Sequence, residues 1–215
     1  MRIIKKSEDP KFLVITPLKV GDKISKETKK SVKRNNYPFD WISYEGDNNI
    51  PLNTTLALLK YEESYSCDYV IKVDNDINMD RKLLDLMYEK LSKSDNDIGY
   101  AYCPFSYILQ DGNKISFNSP FSADKLMRQN YISSNSMIKR KILDDVGGFV
   151  CDEKYERLLD WAFWLRCLYY GYKGLYIPEK KFITPLNNNN VSSRGEDDYK
   201  IKYMRVLEDF VVNHL

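Results

Sequence analysis

The feature that most constrains this chain is the alternation of element types before residue 74. Phe12 to Thr16 (FLVIT) is a short β-rich run stopped by Pro17, and a helical stretch follows from about Lys23 to Asn35. Trp41 to Tyr44 (WISY) reads as strand again, Leu52 to Tyr65 as a second helix with Leu52, Leu56, Leu59 and Glu63 marking successive turns, and Tyr69 to Val73 (YVIKV) as a third strand. Strands joined through helices are crossover connections, so the rhythm predicts a parallel sheet with helices packed on it.

Beyond this run Asp80 is placed to cap a third helix carrying Leu83, Leu84, Met87 and Leu91 on one face, and Ile98 to Cys103 reads as a strand. The pattern then becomes mixed α+β. Phe105 to Phe117 predicts a hairpin turning at Asp111-Gly112-Asn113, and Tyr131 to Ile138 a strand leading into a short helix that ends at Gly147-Gly148. An apolar helix from about Tyr155 to Tyr170, a strand near Leu175 to Ile177, a loop at Asn187 to Asn190 and an amphipathic tail helix from Asp197 complete the reading. There are no internal repeats and no linker. The expectation is one α/β domain over 1–215, divided at 1–103, 104–196 and 197–215, with no clear stop signal before Leu215, as in a module of a longer enzyme.

Composition narrows the function classes. With 33 basic and 31 acidic residues the formal charge is only +2, so no global field recruits a polyanion. The start (MRIIKKSEDP) lacks the apolar core of a signal peptide, and no stretch approaches the roughly 20 apolar residues that span a bilayer. Four cysteines, Cys67, Cys103, Cys151 and Cys167, lack paired metal-ligand spacing. A soluble protein of a reducing, cytoplasmic compartment is expected, of bacterial or viral source, without nucleic-acid partners. His214 is the sole histidine, which removes Ser-His-Asp and Cys-His catalysis unless the penultimate residue is recruited.

Two features carry chemistry. Asp74-Asn75-Asp76 stands where the strand Tyr69 to Val73 runs out, the edge at which open α/β sheets bind ligands. Two carboxylates spaced this way can hold a hard divalent cation that completes its shell with water and phosphate oxygens, and such a cation neutralises a leaving diphosphate. Read alone, the tripeptide is first of all an ordinary turn after a strand, since Asp and Asn are common there. Asp160 lies in the apolar run LLDWAFWLRCL, where many apolar neighbours favour a raised pKa and a part in proton transfer as general base. The alternative is a helix N-terminal carboxylate, or an ion pair with Arg157 or Arg166.

In order, these segments resemble the family-two glycosyltransferases with the GT-A fold over nearly the whole chain. Phe12-Leu13-Val14-Ile15-Thr16-Pro17 looks like the family's opening strand, and Phe39-Asp40-Trp41-Ile42-Ser43-Tyr44-Glu45-Gly46-Asp47 like its second strand and acidic nucleotide-contacting turn. Asp74-Asn75-Asp76 follows on schedule. Asn130 to Arg140 (NYISSNSMIKR), Val146-Gly147-Gly148-Phe149, Leu159-Asp160-Trp161 and Gly171-Tyr172-Lys173 to Ile177-Pro178-Glu179 resemble the acceptor-side strand, the G-G-F turn, the base helix and the segment after it. The resemblance implies Asp76 as main metal ligand, Asp74 reaching the ribose or the metal through water, and Asn75 as spacer in the donor pocket. It implies Glu45 reading the base, Thr16 and Pro17 opening the pocket wall, and a UDP-sugar with Mn²⁺ or Mg²⁺. Asp160 becomes the base of a single inverting displacement onto a hydroxyl of a glycan or glycoconjugate acceptor.

Two departures accompany this. The family's paired acids before Trp are here Leu159-Asp160, and the His that serves many relatives as third metal ligand is absent, Asn187 being nearest to its place. An amide oxygen suits Mn²⁺ or Mg²⁺ but binds weakly, so a labile metal is expected. Arg194 is a candidate diphosphate clamp, or equally a solvated loop residue. A sugar nucleotidyltransferase is the rival enzyme, although Val20-Gly21-Asp22-Lys23 is a poor version of its Gly-rich signature; a nucleotide-sugar-binding module without turnover is the rival of another class. The basic run Lys23, Lys26, Lys29, Lys30, Lys33 and Arg34 reads as a solvated helix face packed through Ile24, Thr28 and Val32. Tyr169, Tyr170, Tyr172 and Tyr176, with Trp161 and Trp164, read mainly as core.

Overall fold

A computed structural model describes residues 1–155, 157–185, 201 and 203–210. Its frame is a seven-stranded sheet of order β1-β3-β2-β4-β9-β6-β10. The strands are β1 (Arg2–Lys5), β2 (Phe12–Lys19), β3 (Phe39–Gly46), β4 (Tyr69–Lys72), β6 (Ile98–Tyr102), β9 (Met137–Lys139) and β10 (Lys173–Tyr176). β3, β2 and β4 run parallel, as do β6 and β10, whereas β1 and β9 are antiparallel to their neighbours. A second sheet orders β5 (Asn78–Met79), β11 (Phe182–Pro185), β7 (Phe105–Ile108) and β8 (Lys114–Phe117).

β2 shows why the frame forms. Its residues from Phe12 to Leu18 are all buried, and alternate side chains enter two different cores. Leu13 and Ile15 join Ala57, Leu58 and Tyr61 of α2 (Ile50–Glu62) and Trp161, Trp164 and Leu165 of α6 (Leu159–Tyr169). Phe12 and Val14 join Val32 of α1 (Lys26–Val32) and Leu83, Leu84, Met87 and Leu91 of α3 (Leu83–Ser92). A strand covered on both faces must be a continuous apolar run, as this one is. α4 (Ala123–Leu126) and α5 (Arg140–Asp145) complete the helices, and residues 203–210 are helical. Among the described residues no helix is long and apolar enough to cross a membrane.

Several expectations are corrected. The leucine row Leu52, Leu56 and Leu59 faces outward, and the packed face of α2 is Asn53, Thr54, Ala57, Leu58 and Tyr61. Its phase is set by Asn49, whose side chain caps Leu52 N–H, and by Asn53, whose amide donates to the carbonyls of Leu18 and Asp47. Asp80 does not cap α3: its carboxylate accepts from Lys181 N–H and ties β5 to the approach of β11. Lys82, with φ of 61°, precedes that helix instead. The strand expected from Tyr131 shrinks to β9, because the Ser133 hydroxyl accepts from Asn135 N–H and the Ser136 hydroxyl donates to Ser133 C=O, local bonds that hold the preceding residues in a loop. α6 begins only at Leu159, after a short 3₁₀ turn at Glu153–Tyr155 and a positive φ at Arg157. The hairpin turns where expected, with Leu109 N–H bonded to Asn113 and Gly112 at φ 81°. Gly147 and Gly148, with φ of 76° and 81°, end α5 in the left-handed region that a side chain disfavours. The Asn187 to Asn190 loop and the start of the tail helix at Asp197 lie outside the described residues.

Candidate active site

The carboxyl ends of β2, β3 and β4 converge on the turn Asp74-Asn75-Asp76. α1 braces it from outside: Asn75 C=O accepts from Ser25 N–H at 2.8 Å and from Thr28 Oγ1 at 3.0 Å, while the Thr28 hydroxyl also lies 2.8 Å from Ile77 C=O. The basic run therefore packs through Ile24, Thr28 and Val32 and leaves Lys26, Lys29, Lys30 and Lys33 exposed.

Asp74 is bound on every polar side. Its Oδ1 accepts from Lys72 Nζ at 2.6 Å and its Oδ2 from Asn135 Nδ2 at 2.7 Å, while its backbone N–H donates to Asn135 Oδ1 at 2.8 Å. Asp76 differs: no side chain among the described residues donates to its carboxylate. Burial, then the neighbouring charge of Asp74, push its pKa up to about 6, and the charges of Lys72 and Asp22 also reach it. A carboxylate desolvated beside a second one is relieved by a cation. The described residues supply fewer than the three His, Cys, Asp or Glu groups of a closed metal cage. They fit a hard divalent ion that takes most of its oxygens from ligand and water, the habit of Mg²⁺ and its relatives.

On the same edge Glu45 is exposed at the end of β3 and accepts from Gly21 N–H at 2.9 Å, which joins it to the turn after β2. Gly46 beside it has no room for a side chain, since a Cβ there would stand 2.3 Å from Asn53 Oδ1. Thr16 and Pro17 are buried within β2, and the Thr16 hydroxyl accepts the indole N–H of Trp41 at 3.0 Å. They shape this edge from beneath it. Asn187 and Arg194 lie outside the described residues.

Asp160 stands in the first turn of α6, so it is indeed a helix N-terminal carboxylate. Its Oδ1 accepts from Asn130 Nδ2 at 3.0 Å and from Trp161 N–H at 2.9 Å, and among the described residues it has no salt bridge. Burial pushes its pKa up to about 6, against the opposing pull of Asn130, the Trp161 amide and the charge of Lys72. Trp161 anchors the turn by donating to Leu126 C=O at 2.6 Å, and Trp164 donates to Ile132 C=O at 3.0 Å. Both rings are fully buried. Tyr169 and Tyr170 are half-exposed. Next to Asn130 a cavity of about 490 Å³ opens between Ser122, Asp124, Lys125, Arg128 and Gln129.

Sequence reasoning did not single out three residues of this site: Lys72, Asn130 and Asn135. Lys72 joins its two sides, because its ammonium binds Asp74 and favours the charged forms of both Asp76 and Asp160. Its signal was present, since a lysine inside an apolar strand needs a partner, and the side chain two residues on shares its face. The asparagines gave none, lying in a polar loop whose path only the fold reveals.

No protein-family model and no curated protein matches the chain. Solved structures do. S. aureus TarS 1-349 in complex with UDP superposes with a TM-score of 0.62 at 12% identity, covering 95% of this chain and 66% of that one. S. aureus TarS 1-349 in complex with UDP-GlcNAc gives 0.61 at 14%, covering 95% and 67%. The mannosyltransferase PcManGT from Pyrobaculum calidifontis, in complex with GDP-Man and Mn²⁺, gives 0.57 at 14%, covering 95% and 64%. The fold is GT-A. At these identities the likeness concerns the fold, and the chain spans about two thirds of the length of these GT-A structures.

Proposed function

We propose that this chain is a glycosyltransferase domain that moves a sugar from a UDP-sugar to a hydroxyl of a glycan or glycoconjugate, with inversion. The observation that carries the reading is one cation, Lys72, bonded to Asp74 of the acidic turn after β4, whose charge also reaches a second carboxylate, Asp160, that forms no ion pair among the described residues. Asp76, with Asp74 beside it, would hold Mn²⁺ or Mg²⁺, and Asn187 would add an amide oxygen. The ion, when bound, offsets the charge that develops on the departing diphosphate.

The rest falls to the protein's own groups. Glu45 reads the base, the buried Thr16 and Pro17 support the pocket wall, Asn75 spaces the two acids, and Arg194 clamps the diphosphate. Asp160 takes the proton of the acceptor hydroxyl as that oxygen attacks the anomeric carbon from the face opposite the leaving group. Its raised pKa makes it more basic than an ordinary carboxylate, and Asn130 holds its Oδ1 in place. The acceptor enters along the cavity lined by Lys125, Arg128 and Gln129, one residue from Asn130. The domain is taken as residues 1–215.

A nucleotidyltransferase would form a new diphosphate and needs no base buried opposite the acidic turn. A non-catalytic binding module would have no use for the cost of half-burying Asp160 with no counter-ion bonded to it among the described residues. Calorimetric titration with UDP, with and without Mn²⁺, tests the donor site: metal-dependent binding is expected, and Asp76→Ala should abolish it and lower transfer by about 10³ or more, as losing several kcal/mol of charge stabilisation requires. UDP binding that ignores the metal in the wild type would overturn the assignment. Proton NMR of the product's anomeric centre reports inversion or retention.

A further inference from the structure

Lys72 ends β4, a strand paired on one edge with β2 and on the other with β9, and its whole residue is only 9% exposed. An ammonium in such a place persists only when paired. Its partner is Asp74, two residues on and therefore on the same face, at 2.6 Å. Asn135 holds the other carboxylate oxygen and the backbone amide of that residue. Both oxygens of Asp74 are thus taken by protein donors, whereas Asp76 receives none from a side chain of the described residues. The turn carries two negative charges, and the lysine cancels one of them.

We propose that Lys72 competes with the divalent cation for Asp74, so that the pocket takes up its metal together with a nucleoside diphosphate and only weakly without one. The inference rests on the donor-site reading above. A small divalent ion gives up its water reluctantly, and one free carboxylate beside an ammonium is a poor inducement. A bound diphosphate supplies the missing negative charge and oxygen ligands, so metal and nucleotide each raise the affinity of the other by the same factor. Lys72 is accordingly a positioning residue that makes the metal conditional on the donor.

The test is Mn²⁺ binding, followed by calorimetry and by the electron paramagnetic resonance of free Mn²⁺, with and without UDP. Lys72→Met keeps the length of the stem and removes the charge; Lys72→Arg keeps the charge. In the wild type, UDP should raise Mn²⁺ affinity by at least ~10-fold, a coupling of about 1.4 kcal/mol. Lys72→Met should bind Mn²⁺ alone at least ~10-fold more tightly than the wild type, with a correspondingly smaller response to UDP. Lys72→Arg should behave as the wild type. A purely structural lysine predicts the opposite, so unchanged or weaker Mn²⁺ binding by a folded Lys72→Met would overturn the proposal. That result with metal-dependent UDP binding still present sinks the inference alone; should the variant fail to fold, Lys72→Gln takes its place with the same expected tightening, whereas wild-type Mn²⁺ binding that ignores UDP sinks the inference and, by reciprocity, the metal-dependent donor reading as well. Absence of any UDP binding sinks the donor reading and this inference with it.

Discussion

Asp74 and Asp160, the two carboxylates given opposite roles in the proposed site, are held in opposite ways. Asp74 has a cation on one oxygen, an amide on the other and a bonded backbone N–H, and it stands at the end of a strand inside a sheet. Asp160 has, among the described residues, two neutral donors, Asn130 and the Trp161 amide, and stands at the start of a helix. A carboxylate desolvated among neutral donors stores the cost of its charge as affinity for a proton, as at Asp160. The contrast matches the proposed division of labour, fixed scaffold on one side and proton acceptor on the other.

The strongest way to break the contrast is Asp160→Asn. Turnover should fall by at least about 10² while UDP binding is unchanged. The same substitution should stabilise the fold. Because burial lifts this pKa from 3.8 to about 6, the folded state holds more protons than the unfolded state between those values, and stability falls as pH rises through that window. Removing the charge should then return on the order of 1–3 kcal/mol at pH 8 and nothing below about pH 4, read by urea unfolding at both values. An Asp160→Asn protein that is active, or less stable at pH 8, would mean that the carboxylate is balanced after all.

A milder change is aimed at Asn130. In the wild type kcat/KM should fall about tenfold per unit below roughly pH 6, as a base with this pKa becomes protonated. Asn130→Ala withdraws a donor that favours the charged form, so the acid limb should move toward higher pH, lowering activity several-fold near pH 6 and little at pH 8. A limb that stays in place would detach Asn130 from the base. The smallest effect is expected on the other side. Asn135→Ala removes the two bonds to Asp74 and should cost about 1–2 kcal/mol of stability without shifting that limb, checked by denaturation and a pH profile.

How much of this was legible beforehand follows the same divide. The alternation before residue 74 announced β2, β3 and β4 because strands covered on both faces must be continuously apolar, and it placed Asp74 and Asp76 at the right edge. Asp160 was legible as a charge in an apolar run. The phase of α2 was not: the leucines mark its turns but look outward, and two asparagines, through cap and backbone bonds, set the rotation. β1, β5 and β11 were missed, being short strands whose pairing comes from distant partners. Lys72, Asn130 and Asn135 act across 2 to 61 positions of chain, and no local pattern reports contacts of the longer kind.

The antiparallel strand β9 has one further consequence, for synthesis on the ribosome. It fills the slot between β4 and β6, yet it is translated after both, and after the hairpin β7–β8 and α4. Until Met137 to Lys139 emerge, β4 offers a bare hydrogen-bonding edge of apolar residues, the kind of surface that recruits other nascent chains. Closure of the main sheet is therefore a late, non-local event, and a product terminated before residue 137 would leave that edge open to aggregation.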